Sequence, residues 1–480
     1  MDAIRIVHLL AGPLCGALLF ILVPDGFADP RGHTAELTVA ARMTIAAVGW
    51  MAWWWLAEPL PLPVTSLLPA LCFPALGILP VTDALAPYAD PLLFLFLGGF
   101  MLAAAIEKWS LHRRFAFGLL RASGGRTRRL VLAIMGATAF ISMWLSNTAT
   151  AVLMFPVALS LARHELANAN LRRCLVLAVA YSATIGGIGT LIGTPPNIFV
   201  SSFLHSQYQV TVDFWTWSSF GMPVVLLMLP LTYLLLTRVL FPLGDVQLDA
   251  LPDADDSTWA WSRLAPEARV TMVVFLCAAL AWMLRGAVID WEIAGWRPFA
   301  RVSDTTIALG AALALFVFPL GTRGTLDWED TRALPWGTLL LFGGGLSLAA
   351  AISANGVDRA LGALLAGFPS WPRPVVIAVI ASVVVFVSEI ASNIATAAAM
   401  TPFLAAAAPA LGLSATDAAI VTGLAASSAY MLPVGTAPNA LAYGSGYVTT
   451  LEMARAGLTL NVISIALIVL VGTYLLPYVL

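Results

Sequence analysis

The sequence predicts an all-α polytopic membrane protein organised as an inverted-topology repeat, with about eleven transmembrane helices and two re-entrant helical hairpins. Three observations carry this. The 480 residues are 60% hydrophobic and only 10% charged, with a mean hydropathy of +0.90. Globular chains hold about 25% charged residues, so this one cannot present a water-compatible surface, and a soluble enzyme is excluded. Apolar stretches near the ~20 residues that cross a bilayer follow one another closely, and motifs of the first half return in the second.

The near-neutral formal charge of −2 argues against nucleic acid as a partner. Four cysteines, Cys15, Cys72, Cys174 and Cys277, lie singly in apolar runs without a CxxC pair, so neither a metal cluster nor a disulfide framework is expected. The first apolar stretch, about 4–23, lacks a small-residue cleavage site before Pro24 and reads as a span. Further spans fall at about 37–56, 63–82, 91–107, 170–204, 219–242, 267–289, 303–321, 335–352, 415–446 and 455–479. Two segments, about 130–162 and 374–411, are too long for one crossing and too short for two with a turn. Each reads as a hairpin that dips in and returns to the same side.

Basic residues set the orientation. Lys108, Arg113, Arg114, Arg121, Arg126, Arg128 and Arg129 crowd the stretch before the first hairpin, whereas Arg359 and Arg373 are alone before the second. The first hairpin therefore opens from the cytoplasm, and four preceding spans put the N-terminus inside as well. Five crossings separate the hairpins, an odd number, so the second enters from the opposite side. The chain then divides into an N-terminal span and loop (1–36), a first repeat (37–244), an acidic cytoplasmic linker (245–266) and a second repeat (267–480).

The repeat is visible in residues. Leu95-Phe96-Leu97-Gly98-Gly99 through Ile106 matches Leu341-Phe342-Gly343-Gly344-Gly345 through Ile352 at a shift of 246. The same shift carries Ser142 to Ser388, Ser146-Asn147-Thr148 to Ser392-Asn393-Ile394, and Pro156 to Pro402. Gly193-Thr194-Pro195-Pro196-Asn197 answers Gly435-Thr436-Ala437-Pro438-Asn439 at a shift of 242. Three blocks in one order at nearly one offset, together with the odd crossing count, give the architecture of many secondary transporters.

The repeated blocks have a specific chemistry. Polar groups at membrane depth are costly unless partnered. At a helix break one half-helix leaves carbonyls free and the next leaves N–H groups free. Carbonyl, Ser and Asn oxygens suit a hard monovalent cation, while helix N-termini suit a carboxylate. Neither hairpin core contains a lysine or arginine, so an anionic substrate needs bound cations, one for each repeat, to neutralise it. Glu389, whose repeat counterpart is Met143, has two readings that the sequence leaves open: an ion-attracting or proton-sensing group, or a structural carboxylate bonded to a neighbouring break. The histidines do not cluster, so a transition-metal site is not expected. Gly444-Ser445-Gly446 does not complete a Gly-x-Ser-Gly motif and no HExxH is present, which argues against an intramembrane protease.

At Ser142-Met143-Trp144-Leu145-Ser146-Asn147-Thr148, Ser388-Glu389, Ser392-Asn393, Gly193 to Asn197 and Met431 to Asn439, the chain resembles the divalent anion:sodium symporter family. The resemblance implies a homodimer that moves substrate by an elevator mechanism, importing C4-dicarboxylates such as succinate, malate or fumarate with sodium ions. A sodium-independent exchanger or a sulfate or citrate carrier is the alternative within the family. It implies one sodium site at Ser142, Ser146, Asn147 and Gly193, and another at Ser388, Ala391, Asn393 and Gly435. Substrate carboxylates would meet Ser146, Asn147, Thr148, Thr194, Pro195, Ser392, Asn393, Ile394, Thr436 and Ala437. Two of these depart from the family pattern: Ile394 stands where the full motif has Thr, and Ala437 where it has Pro. The implied location is a bacterial inner membrane, with lipid, the small anion and a second copy of the chain as partners.

Overall fold

In a bilayer every backbone N–H and C=O must be satisfied within the protein, and a helix does this inside a single segment. The computed structural model describes residues 3–28, 34–163, 168–244, 246–247, 264–292, 297–318, 324–365 and 371–479. It is helical apart from a two-stranded antiparallel ribbon, β1 (Gly26–Ala28) and β2 (Thr34–Glu36). That ribbon is a small departure from an all-α chain. The acidic stretch of the expected linker lies almost wholly outside the described residues.

After α1 (Ala3–Leu22), the expected first repeat holds α2 (Val39–Ala57), α3 (Leu62–Thr65), α4 (Leu68–Ala75), α5 (Val81–Leu85), α6 (Pro91–Lys108) and α7 (Leu111–Ala122). It continues with α8 (Thr127–Ser142), α9 (Asn147–Ala162), α10 (Ala169–Ile188), α11 (Pro195–Tyr208) and α12 (Phe214–Leu234), which runs on into a π-helical turn at Leu235–Leu240. The second repeat comprises α13 (Pro266–Val288), α14 (Asp304–Val317), α15 (Trp336–Ala354), α16 (Val357–Leu365), α17 (Arg373–Ile390) and α18 (Asn393–Ala407). It closes with α19 (Ala415–Ala426), α20 (Ala437–Gly444), α21 (Thr450–Leu470), a π-helical turn at Val471–Leu475 and α22 (Leu476–Val479).

Among the described residues nine helical stretches are long and apolar enough to cross a membrane; two of them, Arg373–Ile390 and Asn393–Leu411, are the arms of the expected second hairpin, so seven of the eleven expected spans are matched. The shortfall has local causes. The expected span at 63–82 is broken into α3 and α4, each with proline in its first turn and Pro74 near the end of α4. The 19-residue α2 carries Arg42 and four tryptophans, which lower its hydropathy. The 14-residue α14 and 12-residue α19 are shorter than a bilayer core at ~1.5 Å per residue. Where the hairpins are expected, α8/α9 and α17/α18 are helix pairs interrupted at 143–146 and 391–392. At 16 residues, α8 and α9 each reach only ~24 Å.

The centre of the molecule is the repeat-related pair α10 and α19, both buried along almost their whole length. A helix apolar on every side belongs there. The first hairpin pair packs on α10 and the second on α19. The repeats also interlock, with α9 against α20 and α11 against α18.

Candidate functional site

Each hairpin is interrupted by a Ser-Asn pair, and both interruptions have the same hydrogen-bond geometry. Ser142 Oγ, fully buried at the end of α8, lies 2.6 Å from the Ala183 carbonyl of α10 and 2.9 Å from Asn147 Oδ1. Ser388 Oγ, at the end of α17, lies 2.7 Å from the Ala426 carbonyl of α19 and 2.8 Å from Asn393 Oδ1. A hydroxyl has one proton, so in each repeat three oxygens share a single hydrogen. The unused lone pairs of such an all-oxygen cluster suit a hard cation.

The capping is asymmetric. Ser146 caps α9 by accepting from Ala149 N, whereas the Ser392 hydroxyl makes no capping bond to α18. At the other two half-helices the pattern reverses: Thr436 caps α20 by accepting from Asn439 N, and Thr194 makes no side-chain cap on α11. Pro195 and Pro438 lie in the first turns, where an absent N–H costs nothing.

Facing each tip is an unwound segment, 189–194 between α10 and α11, and 427–436 between α19 and α20. Asn197 donates from Nδ2 to the Gly187 and Thr190 carbonyls at 3.0 and 2.8 Å. Its counterpart Asn439 donates to the Leu432 carbonyl at 3.2 Å. A Cβ on Gly187 would overlap Asn147 Oδ1 and stand 3.2 Å from the Gly193 carbonyl. Asn147 and the Gly193 backbone are therefore neighbours across a glycine, as the first expected cation set requires. In the second repeat a Cβ on Gly435 would lie 3.1 Å from the Glu389 carbonyl and 3.3 Å from Glu389 Oε2.

Glu389 is 3% exposed. Its carboxylate accepts from the Tyr430, Met431 and Leu432 amides at 2.7 to 3.0 Å and from Asn461 Nδ2 at 2.7 Å. The structural half of the two readings is thus realised: the carboxylate holds the 427–436 break. In the first repeat this job falls to Thr190, whose hydroxyl donates to the Met143 carbonyl. Gly221 on α12 meets the Ile188 carbonyl and Gly457 on α21 meets the Tyr430 carbonyl, so the two glycines are equivalent. Counting from them, Val225 matches Asn461. An apolar Met143 and Val225 in one repeat thus correspond to a bonded Glu389 and Asn461 in the other.

A family profile described as Citrate transporter matches residues 52–425. The chain is 35% identical over 99% of its length to the sodium-dependent dicarboxylate transporter SdcS of Staphylococcus saprophyticus, covering 92% of that protein. It belongs to the divalent anion:sodium symporter family. SdcS of Staphylococcus aureus strain USA300 is 36% identical over 98% of this chain and 92% of its own. In fold the chain is similar to the Alcanivorax borkumensis YdaH transporter, with a TM-score of 0.63 and 15% identity over 99% of both chains. It is also similar to Neisseria gonorrhoeae MtrF, an antimetabolite efflux pump, with a TM-score of 0.60 and 14% identity over 97% of this chain and 94% of that one. This symporter-family member is a membrane transporter and not an enzyme.

Of the expected site residues, Ser142, Asn147 and Gly193 come together, as do Ser388 and Asn393, with Gly435 beside Glu389. Ala391 is 5% exposed at the second break. Thr148 and Ala437 are exposed, Ser146, Pro195, Ser392, Ile394 and Thr436 are half-buried, and Thr194 is buried. Sequence reasoning missed the Ala183 and Ala426 carbonyls, Thr190, Gly187 and Asn461. Carbonyls have no residue-type signal. Asn461 had one, a lone amide within an apolar span.

Proposed function

We propose that this chain imports C4-dicarboxylates such as succinate, malate and fumarate with sodium ions. The observation that carries this reading is the oxygen cluster repeated at both tips, Ser142-Asn147-Ala183 and Ser388-Asn393-Ala426. Two oxygen sites without lysine or arginine in either hairpin core suit two hard monovalent cations. A dianion held beside them gains its positive charge from those cations. The names of the SdcS relatives agree with sodium and dicarboxylate.

In this reading one sodium ion is held by Ser142, Ser146, Asn147 and the Gly193 backbone, the other by Ser388, Ala391, Asn393 and the Gly435 backbone. Substrate carboxylates meet Ser146, Asn147, Thr148, Thr194, Pro195, Ser392, Asn393, Ile394, Thr436 and Ala437, where half-helix N-termini supply N–H groups. The protein works as a homodimer in the bacterial inner membrane with its N-terminus in the cytoplasm. A transport domain slides by an elevator motion against a dimeric scaffold, between outward and inward positions.

The substrate is tested by competition. Uptake of labelled succinate into sodium-driven proteoliposomes should be displaced by malate and fumarate and spared by sulfate. Displacement by citrate alone makes the chain a citrate carrier, the description its family profile bears.

A further inference from the structure

Both first arms begin with an arginine in the first turn, Arg128 in α8 and Arg373 in α17, within one residue of the 246 register of the tips. A cation at a helix N-terminus opposes the helix dipole, so this placement needs a compensating partner. Each arginine has one, and in both cases it is a backbone carbonyl. Arg128 donates from Nε and Nη2 to the Leu243 carbonyl at 3.0 and 2.6 Å, just past the π turn that ends α12. Arg373 donates from Nε and Nη2 to the Gly472 carbonyl at 3.3 and 2.8 Å, inside the π turn that ends α21.

π turns are uncommon and concentrate at functional positions. Here two occupy equivalent places; the Gly472 carbonyl lies within the second, and the Leu243 carbonyl three residues beyond the first. Neighbours strengthen both contacts. Thr127 donates to the Gly244 carbonyl at 2.7 Å, and Arg373 Nη2 lies 3.0 Å from Asp417 Oδ1 in the first turn of α19. At the far end, α17 meets α19 again through Ser388 and Ala426, and α8 meets α10 through Ser142 and Ala183.

We propose that Arg128 and Arg373 are positioning residues that staple the base of each hairpin to the last helix of its own repeat. They thereby set the depth at which the Ser-Asn tip meets α10 or α19. A tip carried on an arm of ~22 Å shifts with any slip at the base. Oxygen sites tolerate only about 0.5 Å of such error. The effect of each staple is confined to its own repeat.

Hydrogen exchange of the purified full-length protein in detergent, read by mass spectrometry, tests this without reference to transport. In Arg128→Gln the amides of 142–150 should exchange about fivefold faster while those of 388–396 stay within about twofold, and Arg373→Gln should do the reverse. The Lys variants, with a single donor group and no fork, should fall between. In proteoliposomes each Gln variant should raise the sodium half-saturation about threefold, with partial rescue by Lys. Unchanged exchange at both tips overturns the proposal, as does equal acceleration of both tips in each variant, which is a global loss of stability. Where a Gln variant does not fold, the Lys variant carries the same repeat-selective comparison. The transport arm rests on the sodium reading above. Absence of sodium-driven uptake in the unaltered protein would overturn that reading and leave the exchange result to decide on the staples.

Discussion

At the scale of single residues, the account turns on two asparagines that share a serine proton with a helix carbonyl. Replacing Asn147 or Asn393 with alanine removes one oxygen of a proposed cation site. Hydrogen bonds and ligands to charged groups are worth about 1.5 to 3 kcal/mol, so sodium-driven uptake should fall by about tenfold or more while the protein still purifies folded. Normal uptake with normal sodium dependence in either variant would remove that asparagine from the site. Ile394 is half-buried next to Asn393, where the family pattern carries a hydroxyl. Ile394→Thr should change the ranking of competing anions more than the sodium dependence. An unaltered competition profile would mean that this position does not line the pocket. The asparagines were legible because amides flanked by hydroxyls stand out in an apolar chain. The role of Glu389 was not, because a buried carboxylate looks the same in sequence whether it faces an ion or caps a break. Only the Tyr430, Met431 and Leu432 amides distinguish the two. Since the fold already houses Met143 and Val225 at the equivalent places, the double variant Glu389→Met/Asn461→Val should fold. It should lose order at 427–436, seen as faster amide exchange confined to that segment. Exchange there at the unaltered rate would show that the carboxylate does not hold the break.

At the scale of elements, the interrupted helices were read from Gly-Thr-Pro and Ser-Asn pairs, which break helices for reasons internal to each residue. Their boundaries followed the motifs closely. The close approach of α12 and α21 to the two breaks was not legible, because a glycine within an apolar helix carries no mark of what lies against it. Gly221 and Gly457 are such positions: an added Cβ would press on the Ile188 or Tyr430 carbonyl. Gly457→Ala should destabilise the protein by about 1 to 3 kcal/mol through overpacking, lowering the midpoint of thermal unfolding. Gly444→Ala, with open space around its Cβ, serves as the control and should leave the midpoint near its original value. Equal midpoints for both variants would contradict the close packing of α21 on the break. The split of the expected 63–82 span into α3 and α4 has a similar lesson. Run length and hydropathy predicted one crossing, whereas Pro63, Pro69 and Pro74 decided the local geometry.

At the scale of the whole molecule, the duplicated sequence folds into a duplicated hydrogen-bond pattern. Ser142 and Ser388, and Asn197 and Asn439, each make the same bond in both halves, and Arg128 and Arg373 each bond a carbonyl at the end of the α12 or α21 stretch. That correspondence was half legible: the motif residues announced the repeat, while their partners are backbone carbonyls that no pattern of side chains identifies. The interlock of α9 with α20 and of α11 with α18 joins the two halves around the unwound segments. In the proposed function the scarcity of charge that identified a membrane protein also bears on mechanism, since positive charge for a bound dianion would arrive with the transported ions. The most direct measurement is uptake of labelled succinate into liposomes containing the purified protein, under an inward sodium or potassium gradient, with and without internal dicarboxylate. Sodium-coupled import gives accumulation driven by sodium into vesicles empty of anion. Accumulation that requires internal anion and ignores sodium would contradict it.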